Sequence, residues 1–514
     1  MQLGKWSWNW LFRSLSLQRS RGRLRRGGVP RRSEALECRV LLSTITVQNL
    51  NDAGPGSLRD AVTTANAQPG SDTIEFARGL RGTIVLSTGQ MSISDELVIA
   101  GPGAARLSVS GNSASRIFRI QPGTTVSISD LSLINGRQTS TDAIGISVIR
   151  GGAILNEGSS LTLDRVTFAG NRAEATGEGF GSANVVGGGA VANTSQATLL
   201  ARYCTFRDNT ASGGKVYAFG GAVANVSSST ARFDDCQFTS NTVTGGVENY
   251  GGAVGSFGGS FLSANNSSFV LNRALGISKD ATTVVNAYGG AVAARPGTID
   301  TGVCNTGFEN CRFVSNRAEG GQGGTVGGLA AGGGVYSRNS HLTMEDTTLV
   351  GNIVQGGAGT TMGGTAYGGG VATDNPAGSS GTVALQKSLV QGNVVRAGAG
   401  STAFAHGGGV SLTGAVSLFE TRVIGNVLNA GTNGNARGAG VYLDSPFSFI
   451  TSSRIVGNVA QGATGQGGGL FGLGTIFVSP QVASQPWRLA QGNVSRGLLD
   501  NIVGTLTPSN PPPA

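Results

Sequence analysis

The sequence predicts an all-β solenoid, a chain wound into stacked coils of short strands. Three observations predict it. A unit of about 35 residues recurs ten times. Every unit holds short runs of alternating apolar and polar residues. The composition suits tight bends rather than packed helices: Gly is 86 of 514 residues, charged residues are 13% and aromatics 6%. Ordinary domains carry ~7% Gly and ~25% charge. Packed helices would want more Leu, Lys and Glu. Collagen would need Gly at every third place, and a disordered chain would be rich in charge.

The chain opens on a basic leader, residues 1–43. It holds ten Lys and Arg against Glu34 and Glu37, and the rest of the formal net charge of +9 amounts to +1. A nucleic-acid groove needs Lys and Arg clustered on one face. Nothing beyond residue 43 supplies one, so nucleic acid is not an expected partner. The apolar stretch Trp6–Leu17 is broken by Ser7, Asn9, Arg13, Ser14 and Ser16, a poor secretory core on physical grounds. No later run offers the ~18 apolar residues of a membrane-crossing helix.

Residues 44–150 read as a cap and the first coils. Ser57-Leu-Arg-Asp60 fits a helix start, predicting a helix over Ser57–Asn66 that Pro69-Gly70 ends. Strands are predicted at Thr73–Phe76, Thr83–Leu86, Leu97–Ala100, Arg106–Val109, Ile117–Ile120 and Val126–Leu133. A bare solenoid end exposes core and strand edge, so a closing helix is physically sensible.

Ten units fill residues 151–497. Each opens on a Gly-Gly or Gly-Ala signature, beginning at Gly151, Gly188, Gly220, Gly251, Gly289, Gly332, Gly368, Gly407, Gly438 and Gly467. Most close on an apolar residue, two variable residues and Asn: Asn171, Asn209, Asn241, Asn272, Asn316, Asn352, Asn393, Asn426 and Asn458, with Asn493 a looser tenth. Three alternating runs, such as Ala153–Leu155, Leu161–Leu163 and Val166–Phe168, predict three strands and three bends per coil. Stacked at ~4.8 Å, ten coils make a rod on the order of 50 Å.

Stacking sorts side chains into columns. Phe168, Phe206, Phe238, Phe269 and Phe313, then Leu349, Val390, Val423 and Ile455, read as an internal stack, and the closing asparagines as a buried amide ladder. A small-residue column holds Cys204, Cys236 and Cys311 where other coils have Ser267, Thr347, Ser388, Thr421 and Ser453. Free buried thiols are therefore expected rather than disulfides. Segments between each Asn and the next Gly pair read as protruding loops, too polar and Gly-rich to bury much. Residues 498–514 read as a Pro-rich tail.

The Gly-Gly-Ala-Ile/Val opening paired with Phe-x-x-Asn resembles the repeats of chlamydial polymorphic outer-membrane proteins. More broadly the chain resembles the right-handed parallel β-helix proteins of the pectate-lyase-like kind. Asn51–Asn66, Asp72–Phe76 and Gly82–Leu86 resemble the cap that precedes such helices in secreted bacterial proteins. Leu36-Glu-Cys-Arg-Val-Leu-Leu-Ser43 resembles an N-terminal motif of planctomycete extracellular proteins. These resemblances imply a right-handed parallel β-helix, secreted or held at the cell surface, with the leader removed near Ser43. Chlamydial proteins of that kind end in a membrane β-barrel. No comparable ~250 residues of amphipathic strands follow the repeats, so self-insertion is not expected.

Carbohydrate-cleaving β-helices need carboxylates converging on one groove. Here the acidic residues scatter, apart from a turn column of Asp235, Asn266, Asn310, Asp346, Lys387 and Glu420 with Asp234, Glu309 and Glu345 beside it. A carboxylate pair or Ca²⁺ site at Asp234–Asp235 or Glu345–Asp346 is one reading. Asp and Asn selected for turn geometry is the preferred one. His341 and His406 lie in different coils at dissimilar positions, poor material for a metal centre or a triad. No catalytic residue, metal or cofactor is assigned.

The residue before the Gly pair is a ring at Phe219, Tyr250, Tyr288, Tyr367 and His406. The first four are candidate ligand-binding residues, an aromatic stripe along the loop edge for glycans or cell-surface proteins. Packing beneath their own loops is the preferred reading, with ligand binding the hypothesis set against it. The expectation is an exported, non-catalytic, adhesin-like or matrix protein that presents variable loops. A polysaccharide lyase or glycoside hydrolase is the alternative.

Overall fold

The computed structural model describes residues 43–509, apart from 141–147, 176–184, 214–216, 279, 281, 298–300, 377 and 496–497. The leader up to residue 42, with most of its export motif and Cys38, and the last residues of the tail lie outside the described residues. Within that span the chain is a parallel β-helix. Its strands form sheets of 26, 13, 12 and 10 members, and each coil pairs in parallel with the next.

One coil shows the plan. Val223–Val226, Thr230–Asp234 and Gln237–Thr239 are the three strands the sequence predicts, and they enclose the main core. The chain then makes two more strands, Thr242–Thr244 and Glu248–Tyr250. Five strands per coil thus replace the predicted three, and the segments read as protruding loops are structured. The reason is side-chain size. Most of the extra strands turn one small apolar residue inward, and Ala211, Ala218, Val243, Ala274 and Ala287 join a second buried cluster separate from the main core. In Glu248–Tyr250 the inward residue is Asn249, its amide bonded to the Gly246 backbone. Side chains this short let two strands face one another as a thin slab, the fin. Gly and Ala, which read as loop composition, are what so thin a layer requires.

Two devices hold the waist between helix and fin. On one side runs the asparagine ladder. Asn209 Oδ1 accepts from the backbone N–H and the Nδ2 of Asn171, both at 3.0 Å, and the same pair of bonds continues to Asn493. Asn493 is a full member and bonds on to Asn501. On the other side stands the second glycine of each pair. A Cβ on Gly252 would lie 2.1 Å from the Gly290 carbonyl oxygen and 2.4 Å from the Arg273 nitrogen. Backbone touches backbone there. The same holds at Gly189, Gly221 and Gly290, while Ala439 takes the place in one coil.

The columns fall where the sequence puts them. Phe168, Phe206, Phe238, Phe269 and Phe313 stack with centroids 4.7–4.8 Å apart and planes within 4°. Cys204, Cys236, Cys304 and Cys311 are free and buried. A second buried ladder, Asn156 to Asn193 to Asn225 at 2.7 and 2.9 Å, was not drawn from the sequence. Its signal was present in the repeated Asn three residues beyond the alanine of the Gly-Gly-Ala signature.

The N-terminal helix spans Leu58–Ala67, with Ser57 Oγ accepting from the Asp60 N–H at 3.1 Å. It buries Leu58, Ala61, Val62 and Ala65 in the main core. The predicted Val126–Leu133 strand breaks into Thr125–Ser129 and Ser132–Ile134, because Asp130 adopts a left-handed φ of 55°. At the far end Ile502–Pro508, read from sequence as tail, pairs with Leu470–Val478. No described helix is long and apolar enough to cross a membrane.

Candidate functional site

Fin and helix wall meet along a crease, where outward-facing residues of both pack into a third buried cluster. The strand register sets Phe219, Tyr250, Tyr288, Ala331, Tyr367 and His406 one above another on the fin side. The helix side answers with Ala192, Ala224, Gly255, Ala293, Tyr336 and Ala372. Small residues there make room for the rings. A Cβ on Gly255 would come within 3.0 Å of Phe219 Cβ. Where the fin column has Ala331, the opposite wall supplies Tyr336, whose ring lies 4.8 Å from that of Tyr288.

The four sequence-predicted residues therefore share one column, but they do not form an exposed edge. Phe219 and Tyr250 are 2% and 1% exposed and Tyr288 is 8% exposed, while Tyr367 is half-buried. They pack against the helix wall because the fin lies beside it. The rings open to the crease surface include two the sequence pattern passed over. Tyr217 and Phe257 are half-buried, and Phe257 packs 4.8 Å from Phe219. The alternation Tyr217-Ala218-Phe219 was the available signal, since both rings must face the same way on a strand.

Polar groups edge this trough. The Arg295 guanidinium lies 5.0 Å from the centre of the Tyr250 ring and 5.7 Å from that of Tyr217, and pairs with Glu248 at 3.3 Å. The Tyr250 hydroxyl donates to Glu248 Oε2 at 2.5 Å. Burial holds the Tyr250, Tyr288 and Tyr336 hydroxyls well above the ordinary tyrosine pKa, so they stay protonated as donors. Further along, Arg338 pairs with Asp374 at 3.3 Å. His406 stacks on Tyr442 at 4.6 Å. Its burial, with Arg437 nearby, pulls its pKa down to about 4.

The candidate carboxylates stand elsewhere and hold the corner. Asp235, Asn266, Asn310, Asp346, Lys387 and Glu420 all adopt left-handed φ between 47° and 54°. Asp234 pairs with Arg232 at 3.0 Å, and Glu345 with Lys387 at 3.2 Å. Among the described residues no three metal-ligating side chains gather. His341 and His406 remain apart, on different strands. What the crease offers is ring surface and hydrogen-bonding edges in line along the helix axis.

No protein-family model matches the chain, and no curated protein matches it. Among solved structures it is similar to tailspike protein 3 of bacteriophage CBA120, over 88% of this chain at 12% identity and a TM-score of 0.33. The match spans 61% of that tailspike's length. It is also similar to the A-module of mannuronan C-5 epimerase AlgE4 from Azotobacter vinelandii, over 91% of this chain and 100% of that one, at 10% identity and a TM-score of 0.33.

Proposed function

We propose that the protein is an exported, non-catalytic β-helix that acts at or beyond the cell surface and holds glycan chains along the aromatic crease. The observation that carries this reading is the register of the crease, which lines up rings and ion pairs coil after coil. A sugar presents an apolar face to a ring and hydroxyls to carboxylates and guanidiniums. Arg295–Glu248 and Arg338–Asp374 stand beside Tyr250, Tyr288 and Tyr336 in that combination. The planctomycete-like motif at Leu36–Ser43 supports export.

The test is retention on a panel of immobilised polysaccharides, with the unbound phase assayed for new reducing ends and unsaturated sugars. Retention without products is expected, weakened when Tyr217→Ala and Phe257→Ala are combined. Product formation would establish the lyase or hydrolase alternative instead. Failure to retain any polysaccharide would overturn the glycan reading.

A further inference from the structure

The crease begins in a different chemistry. One coil before Gly187 the fin column holds Arg150, and one coil before Leu155 the helix wall holds Arg119. Arg116, 8% exposed, lies just ahead of the Arg119 strand. Three guanidiniums gather here. Among the described residues Glu157 is the one carboxylate that acts on them, paired with Arg119 at 3.0 Å and acting electrostatically on Arg116 and Arg150.

Their remaining partners are neutral. Arg116 donates to the carbonyls of Gly151 and Arg150, each at 2.8 Å, and to Gln90 Oε1 at 2.7 Å. Arg150 reaches across the crease to Thr194 Oγ1 at 2.7 Å. The Nε atoms of Arg119 and Arg150 are both buried and both lack a hydrogen-bond partner. Packing three guanidiniums around one carboxylate leaves a surplus of positive charge and unmade hydrogen bonds, both unfavourable in a partly dry site. An oxyanion offsets the surplus charge, and the guanidinium fork of Arg119, whose side chain is 41% exposed, matches its geometry.

We propose that Arg116, Arg119 and Arg150 form an oxyanion site at the head of the crease, which takes the carboxylate or sulfate group of an acidic polysaccharide. Arg116 supplies a fixed charge, held by backbone carbonyls. Arg119 supplies the exposed fork, and Arg150 a second charge reaching across the crease. The inference rests on the glycan reading of the crease and names its ligand class.

Affinity for polygalacturonate, dextran sulfate and unmodified dextran, measured by calorimetry on the full chain, tests it. Arg119→Gln and Arg150→Gln should each weaken an acidic polymer about tenfold or more, the loss of a charge-assisted hydrogen bond. Binding of dextran should not change. Arg207→Gln, an exposed arginine elsewhere, is the control for net charge and should leave all three unaltered. Which acidic polymer responds identifies the oxyanion. Acidic polymers bound equally well by both variants, with melting temperatures unchanged, would overturn the oxyanion site. If Tyr217→Ala with Phe257→Ala still weakened binding, the crease reading would survive that result. If the wild type bound none of the three polymers, both would fall.

Discussion

Asn272 Oδ1 accepts two hydrogen bonds from Asn241, one from the backbone N–H at 3.0 Å and one from Nδ2 at 2.9 Å. Its own Nδ2 donates to Asn316 Oδ1 at 3.0 Å and to the Phe238 carbonyl at 2.9 Å. Both lone pairs and both protons of a fully buried amide are thus used. Removing it strands buried donors and acceptors above and below. Asn272→Ala should cost about 3 kcal/mol in urea unfolding. Asn272→Asp should cost at least as much, because a carboxylate lacks the two protons that Asn316 and Phe238 accept.

The waist gives a second expectation. Gly252→Ala must displace backbone on two sides, so a loss of about 2–4 kcal/mol is expected. Gly307, at the centre of the strand Asn305–Glu309, has nothing within 4 Å of a Cβ position. Gly307→Ala should be neutral or stabilising by up to about 1 kcal/mol. Thermal melts of the two variants side by side check this.

Coil stacking was legible because columns repeat in type, and Phe206, Phe238 and Phe269 can recur at one place only if coils superpose. The fin was not. Its inward residues, such as Ala211 and Ala218, occur one to a strand, and a single Ala per strand carries little periodic signal. Only pairing two such strands makes Ala large enough to form a layer. The ring column could be read from sequence, but its direction could not, since burial of Phe219 and Tyr250 depends on the fin lying beside the helix wall. The arginine cluster was also out of reach. Arg150 lies 31 residues beyond Arg119 and 34 beyond Arg116, and the winding alone brings it to them.

The thiols should behave as small core residues. Cys311 Sγ donates to the Glu309 carbonyl two residues back, as Ser267 Oγ does to that of Asn265 and Ser388 Oγ to that of Gln386. Cys311→Ser keeps this bond, and its stability should stay within about 1 kcal/mol of wild type. Burial pushes the Cys311 thiol up to about 11, so a thiol reagent at pH 8 should label it only after unfolding.

His406 should make stability pH-dependent. Its pKa is about 4 in the folded chain, against about 6.5 unfolded, so the folded state favours the neutral ring. Its contribution is complete above pH ~6.5 and fades as pH falls toward 4, because the unfolded chain then binds the extra proton. The loss should reach roughly 2–3 kcal/mol. Melting temperatures of wild type and His406→Phe between pH 7 and pH 4 should diverge, with the variant flatter.

Hydrogen–deuterium exchange with and without a retained polysaccharide tests the crease most directly. Added protection is expected in Tyr217–Phe219, Glu248–Tyr250 and Val254–Phe257, the strands that line it. Protection confined to the opposite strands, Gln237–Thr239 and Thr242–Thr244, or none anywhere despite retention, would contradict it.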